Sequence, residues 1–185
     1  MRILLLCLYF FSINCLFAQD NQTLKNMFDE DQGTRLNDKI DWKILLKQDS
    51  VRRSEVQVMI NQNKLLTTND YYRAAMIFQH GTDSVSYKMA MNLSKKAYVV
   101  DTSNHFALLL TVTSLDRYLL SIGKPQIYGT QFMIRENKWY LRDFDTTIVT
   151  DNERKRYGAK TLNEIKEYLK KKNGEDKGLL FYPKK

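Results

Sequence analysis

Apolar residues recur along most of this chain at three- and four-residue steps, the spacing that lines one face of an α-helix. In residues 23–36, Leu24, Met27 and Phe28 precede a polar knot, Asp29-Glu30-Asp31-Gln32 with Arg35. Gly33 predicts that this helix ends or bends there. Residues 41–65 form a second helix, with Asp41 as N-cap and Trp42, Leu45, Leu46, Val56, Met59 and Ile60 in register. A break is expected near Asp49-Ser50. Thr68-Asn69-Asp70 caps a third helix, largely buried through Ala74, Ala75, Ile77 and Phe78, with Gly81 as its C-terminal signal. A fourth starts near Thr82-Asp83, carries Tyr87, Met89, Ala90, Leu93, Ala97 and Tyr98, and ends at Asp101.

From Asn104 the pattern changes. Thr102, Ser103 and Asn104 offer caps for a helix that is apolar almost all the way round, and such a helix belongs in a core. Asp116 and Arg117 interrupt it, and Gly123 and Pro125 stop it. Beyond Pro125, aromatic and β-branched residues flank the polar turn Arg135-Glu136-Asn137-Lys138, which reads as a hairpin near residues 126–144. A lone hairpin is marginal in water, so it must lie on the helices. Thr150-Asp151 starts a last helix with Leu162, Ile165, Tyr168 and Leu169 as its stripe, and Gly158 separates a short first turn from the main part. Residues 173–185 form a basic tail in which Leu179, Leu180, Phe181 and Tyr182 are placed to dock back.

The fold class implied is mainly α, with about five or six helices packed as an antiparallel bundle or short repeat-like array, and one β-hairpin. The two early helix pairs are similar in geometry to tetratricopeptide-type repeats, without their full consensus. One domain over residues 20–172 accounts for the whole pattern.

Residues 1–19 change the picture. Arg2, an apolar run from Ile3 to Phe11 and the small residue Ala18 stand in the order of a secretory signal. Cleavage after Ala18 or Gln19 is expected, placing the protein in a periplasmic or extracellular compartment. A membrane anchor is the alternative, but the run is short for a bilayer that takes about 20 apolar residues. A lipid-modified Cys15 is disfavoured by Asn14 before it and Leu16-Phe17 after it. Both cysteines, Cys7 and Cys15, lie inside this segment, so the exported chain has no disulfide, thiolate metal site or cysteine nucleophile. The net charge of +8 falls to +7 without Arg2, and the excess is concentrated late, at Arg154, Lys155, Arg156, Lys160 and Lys170–Lys172. Such a region suits an anionic envelope surface; a solvated helix face is the plainer reading.

Candidate chemistry gathers in three places. His80, in Gln79-His80-Gly81-Thr82-Asp83, joins two buried helices, where Asp83 would orient the imidazole or share a metal. A core histidine satisfied by backbone is the alternative, and one histidine with one carboxylate is a weak metal site. No metal and no cofactor are expected. His105 reads as a cap residue. Asp116 and Arg117 are adjacent and point in different directions, so each needs a partner elsewhere. Arg117 has Asp31, Asp83 and Asp145 as candidates; Asp116 has Arg35, Tyr128 or a backbone amide. Gln126 and Gln131 flank Tyr128-Gly129-Thr130, whose amides and hydroxyls suit a neutral polar ligand such as a sugar or peptide. No phosphate loop is present.

The strings Asp31-Gln32-x-x-Arg35, Ala75-Met-Ile-Phe-Gln79-His80, and Asp116-Arg117 with Gly123-Lys-Pro-Gln126-x-Tyr128-Gly129-Thr130-Gln131 resemble a largely bacterial family. It is known as a domain of unknown function (number 6624). The resemblance covers roughly residues 24–170 and implies a shared fold and a shared site, without an established activity. A departure is expected at His80-Gly81-Thr82-Asp83, where related chains are expected to vary between the histidine and the acid. That makes a joint role for His80 and Asp83 less secure than the later string.

Three functions compete. The first is an exported binding domain whose pocket of Gln79, His80, Asp116, Arg117, Gln126, Tyr128, Thr130 and Gln131 takes a polar ligand or peptide. The second is a helical scaffold in which the polar cluster is structural. The third is a cell-envelope hydrolase using Asp31, Asp83 or Asp116 with His80. Nucleic acid is not an expected partner, since no basic aromatic groove is legible.

Overall fold

The computed structural model describes residues 18–37, 39–175 and 177–181. The apolar run of the expected signal, and Tyr182 of the tail, lie outside them. The chain forms seven helices and one antiparallel two-stranded hairpin among the described residues. None of these helices is long and apolar enough to cross a membrane.

The first helix, α1 (Gln22–Arg35), is capped by Asn21, whose side chain accepts from the Leu24 amide. Gly33 neither ends nor bends it: the residue is exposed, the backbone stays helical to Arg35, and Leu36 closes the end. Helix α2 (Trp42–Asn61) is capped by Asp41 and runs unbroken through Asp49-Ser50. No residue there removes a backbone donor, and Asp49 is buried with charged partners instead of turning back on its own helix. The inward face of α2 is Leu45, Asp49, Arg52 and Val56, whereas Trp42 and Leu46 are exposed.

Helix α3 (Thr68–Gln79) begins with a capping box between Thr67 and Asp70. The buried Asp70 carboxylate also accepts from the backbone of Asn21, Leu66 and Thr67, which ties the start of α1 to the start of α3. Helix α4 (Ser84–Val100) is capped by Asp83, and α5 (His105–Ser121) by Asn104. Gly81, between α3 and α4, does not have the positive φ of a C-cap glycine. It is required for space: a Cβ there would lie 2.2 Å from that of Ser86.

It is α3, not α5, that packs against α1, α2, α4 and α5. Ala74, Ala75, Ile77 and Phe78 of α3 meet Leu24, Val56, Ala90, Leu93 and Leu110 in the first core. Helix α5 lies along α4 and belongs to two cores at once. Leu110 faces the first, while Val112 faces a second that holds Tyr128, Val149 and Ala159. Phe106 is exposed, so the helix is not enclosed on all sides as its composition suggests.

The hairpin is shorter than expected. Strands β1 (Phe132–Arg135) and β2 (Lys138–Leu141) pair from Phe132↔Leu141 to Arg135↔Lys138. Positive φ at Glu136 and Asn137 gives the turn whose twist matches such a pair. Residues 127–131 are not strand, because the amides of Ile127, Tyr128 and Thr130 go to Asp116 and that of Gln131 to the Gln126 side chain. Helix α6 (Asp151–Arg156), a bend at Gly158 with φ +71°, and α7 (Leu162–Asn173) complete the order. Ile165 and Leu169 of α7 form the third core with Leu141 and Phe144, and Leu179 and Leu180 of the tail pack on it. Not all of the late basic residues face solvent. Arg154 is buried, paired with Asp151 and donating to the Ile127 carbonyl.

Candidate functional site

The Asp116 carboxylate is fully buried on α5, where an unanswered charge would be costly. The segment after Pro125 wraps round it. Oδ1 accepts from the amides of Ile127 (2.9 Å) and Tyr128 (3.0 Å), and Oδ2 from the amide (3.0 Å) and hydroxyl (2.8 Å) of Thr130. Gly129 makes the wrap possible, with φ +76° and a Cβ position only 2.7 Å from Ile165 Cδ1. Burial raises the Asp116 carboxyl, and these four bonds oppose the rise without cancelling it. Of its candidate partners, the backbone amides answer it and Arg35 does not.

Gln126, also fully buried, clamps the ends of this wrap. Its Oε1 accepts from the Gln131 amide at 2.8 Å, and its Nε2 donates to the carbonyls of Gln131 (2.9 Å) and Arg142 (3.1 Å). The Arg142 amide in turn donates to the Gln131 carbonyl. One side chain therefore fixes the backbone of Gln131 next to that of Arg142.

Arg117 takes none of the three acids proposed for it. Its Nε donates to Gln131 Oε1 at 3.1 Å and its Nη1 to the Gln79 carbonyl at 2.8 Å. Asp83 caps α4, Asp145 turns onto Thr147, and Asp31 serves other cations. Among the described residues no carboxylate lies within 4 Å of the Arg117 guanidinium. Part of its charge is answered by the carbonyl end of α3, where Arg53 also donates to the His80 carbonyl. Burial lowers the Arg117 pKa; Tyr87 works against this, and the charges of Arg142 and Arg35 reinforce it.

The pairing of His80 with Asp83 is not formed. His80 Nδ1 lies 2.8 Å from Asp31 Oδ2, within a charged network joining α1, α2 and the end of α3. Arg35 bridges Asp31 and Asp49 at 2.6 Å each, and Arg52 adds contacts to Asp49 (3.3 Å) and Asp31 (3.8 Å). Burial would raise the Asp31 carboxyl. The hydrogen bond and charge of His80, then Arg35 and Gln32, outweigh it and hold the group below its ordinary range. Sequence reasoning missed Asp49 and Arg52. Their signal was the i, i+3 spacing of an acid and a base in line with Leu45 and Val56.

Of the eight predicted site residues, six join one chain of polar contacts. It runs from the Gln79 carbonyl to Arg117 and Gln131, then Thr130, Asp116 and Gln126, while the His80 side chain lies outside it on Asp31. Gln79 also accepts from Ser114, while its Nε2 is buried without a partner. Tyr128 contributes its amide alone. Its ring packs on Tyr157 in the second core, and its hydroxyl donates to Glu153 at 2.8 Å. Burial, then the Glu153 carboxylate, pushes that phenol well up.

Thr130 lines a small cleft of about 170 Å³ with Leu109, Gly129 and Lys160, and His80 is partly exposed, while Arg117 and Gln131 open together on another side. The latter two line a cleft of about 320 Å³ between α4, α5 and the hairpin, with Thr82, Tyr87, Ser121 and Arg142. Leu120 and Phe132 supply its apolar wall. Tyr87 and Arg142 were not among the expected site residues, since nothing in the spacing links them to Arg117. Among the described residues no group of three or more histidine or acidic side chains is placed to hold a metal. Comparison of the chain with family models, curated proteins and solved structures gives no match.

Proposed function

We propose that the chain is an exported binding domain whose ligand enters the cleft lined by Tyr87, Arg117, Gln131 and Arg142. One observation carries this reading: the cleft is polar, open and built on a frame that needs no ligand to complete it. Asp116 has all its bonds from the 127–130 wrap, and Gln126 has both ends of its amide in use. Such a pre-formed surface with a few convergent polar groups is what a binding site requires. A second groove, about 310 Å³ between α1 and α2, is lined by Glu30, Lys47, Arg52 and Glu55, whose charges balance one another. It offers no comparable selectivity.

The scaffold reading draws support from part of the cluster. Asp116, Gln126 and Thr130 are explained by folding alone. The hydrolase reading has less support, since Asp31 is paired with cations, Asp83 caps a helix and Asp116 is buried and fully bonded. Membership of the domain-of-unknown-function family belongs to the same proposal, with the wrap of residues 126–131 as its structural centre.

Amide-shift mapping by NMR tests the reading. A panel of sugars, amino acids and short peptides should contain a compound that moves the signals of Tyr87, Gln131 and Arg142 together. Shifts confined to the α1–α2 groove, or a panel that leaves the three signals unmoved, would count against it.

A further inference from the structure

We infer that the group this cleft recognises is an oxyanion, a carboxylate or phosphate, held between Arg117 and Arg142, with the ligand's apolar part on Leu120 and Phe132. The inference rests on the binding reading above and names the chemical class that the site takes.

Charge is the first argument. The cleft is lined by two guanidinium groups and by no acid. Neither arginine has a carboxylate within ion-pair distance among the described residues. Two cations facing one cavity repel, and Arg142 indeed works against the charged form of Arg117. An anion between them removes that repulsion. A neutral sugar does not.

Geometry is the second argument. Nε and Nη1 of Arg117 are engaged by Gln131 and the end of α3, which fixes the plane of the guanidinium beside Tyr87 at the cleft. The backbone of Arg142 is fixed through the Gln126 clamp, while its side chain is exposed. One guanidinium is thus held rigidly at the floor and the other is free to close from the rim. Planar forks of this kind match carboxylate and phosphate oxygens, and charge-assisted bonds to them are about twice as strong as neutral ones. The Thr82 hydroxyl lies on the same wall, whereas that of Ser121 donates to the Tyr118 carbonyl. The amides and hydroxyls of the Gln126–Gln131 string suggest a neutral ligand, but folding buries most of them on Asp116.

The purified protein is titrated with sodium acetate, inorganic phosphate and methyl glucoside at constant ionic strength set by chloride. The side-chain Nε–Hε signals of Arg117 and Arg142 are followed by NMR. The expected result is saturable movement of both signals with acetate, phosphate or both; the arm that responds identifies the oxyanion. Arg142→Gln, at an exposed position, should weaken that binding roughly tenfold, the loss of one charge-assisted bond, while the unfolding midpoint stays in place. Movement with methyl glucoside alone would overturn the oxyanion and leave the cleft reading standing. No movement with any of the three would overturn the oxyanion too, and the broader panel would then decide the cleft separately. Equal shifts at surface lysines throughout, unchanged by Arg142→Gln, would show nonspecific charge binding and also end the proposal.

Discussion

Two buried carboxylates in this molecule are stabilised in opposite ways. Asp31 has two arginines and an imidazole around it: Arg35 at 2.6 Å, His80 at 2.8 Å and Arg52 at 3.8 Å. Asp116 has four neutral donors and no cation. Both have essentially no exposed surface. Burial raises both carboxyls, yet the Asp31 pKa ends below its ordinary value and the Asp116 pKa above. Hydrogen bonds favour the ionised form of both acids, but only at Asp31, where countercharge joins them, do they outweigh burial. The difference has a structural consequence. Asp31 joins helices that also pack through apolar side chains, whereas Asp116, together with the Gln126 clamp, shapes an irregular segment.

Removing each acid should therefore break different things. The largest effect is expected for Asp116→Leu, which leaves four donors without their acceptor. At about 1–3 kcal/mol for each buried orphan, a loss of about 4 kcal/mol or more is expected in denaturant unfolding. Hydrogen exchange should show residues 127–130 losing protection while α3 and α4 keep theirs. Uniform loss across the molecule would mean that the wrap has no independent role. Asp31→Asn should cost less, about 3 kcal/mol, since one buried ionic partner is lost while Arg35 keeps Asp49. Its exchange signature should lie at the α1–α2–α3 junction and spare the wrap.

A third change tests the wrap from its other side. Gly129→Ala leaves Asp116 intact but puts a Cβ 2.7 Å from Ile165 Cδ1 at a backbone φ of +76°. A cost of about 2 kcal/mol is expected from crowding and strain together. Ile165→Val removes the offending methyl, so the double variant should be less destabilised than the two single costs added. Strict additivity would place the cost in the backbone and in Phe144, whose ring atoms lie 3.0 Å from the same position.

These regions also differ in how far the chain announces them. Helix positions were legible because Leu24, Ala74, Ala75, Leu93 and Ile165 keep a helical period, and Asp41, Asp83 and Asn104 cap as the spacing predicts, although α3 is capped one residue before Thr68-Asn69-Asp70, by Thr67. The Asp31 network was half legible. Asp49 and Arg52 belong to the buried face of α2, but a hydropathy pattern counts charged residues as outward and so suggests a break. The Asp116 wrap was legible as a need for partners, not as a shape. A hairpin seemed to begin at Gln126 because nothing local shows that Asp116, ten residues earlier, takes the donors that a strand would use. The cleft was hidden for the same reason. Tyr87 and Arg142 meet Arg117 only after α4 and the hairpin are placed, and no spacing records that.

The smallest effect expected, and the one that separates the two acids most directly, is in the pH dependence of stability. For Asp31 the folded carboxyl lies below its unfolded value of 3.8. The unfolded chain then binds more protons in that window, so this contribution is present above 3.8 and lost as pH falls through the folded value. For Asp116 the folded carboxyl lies above 3.8. Here the folded chain binds more protons, and stability declines as pH rises from 3.8 through the folded value. On acidification from neutral pH, Asp116 should thus favour the folded state first and Asp31 should disfavour it later. Asp20, itself held below its ordinary value by Thr67, Arg73 and Asn69 against burial, adds to the later loss. Denaturant midpoints across this range should show Asp31→Asn with a shallower fall below pH 3.8. Asp116→Asn should lack the preceding gain and keep the fall. Parallel profiles for the two variants would mean that cations and neutral donors hold these acids in the same state, and the contrast between the two regions would be lost.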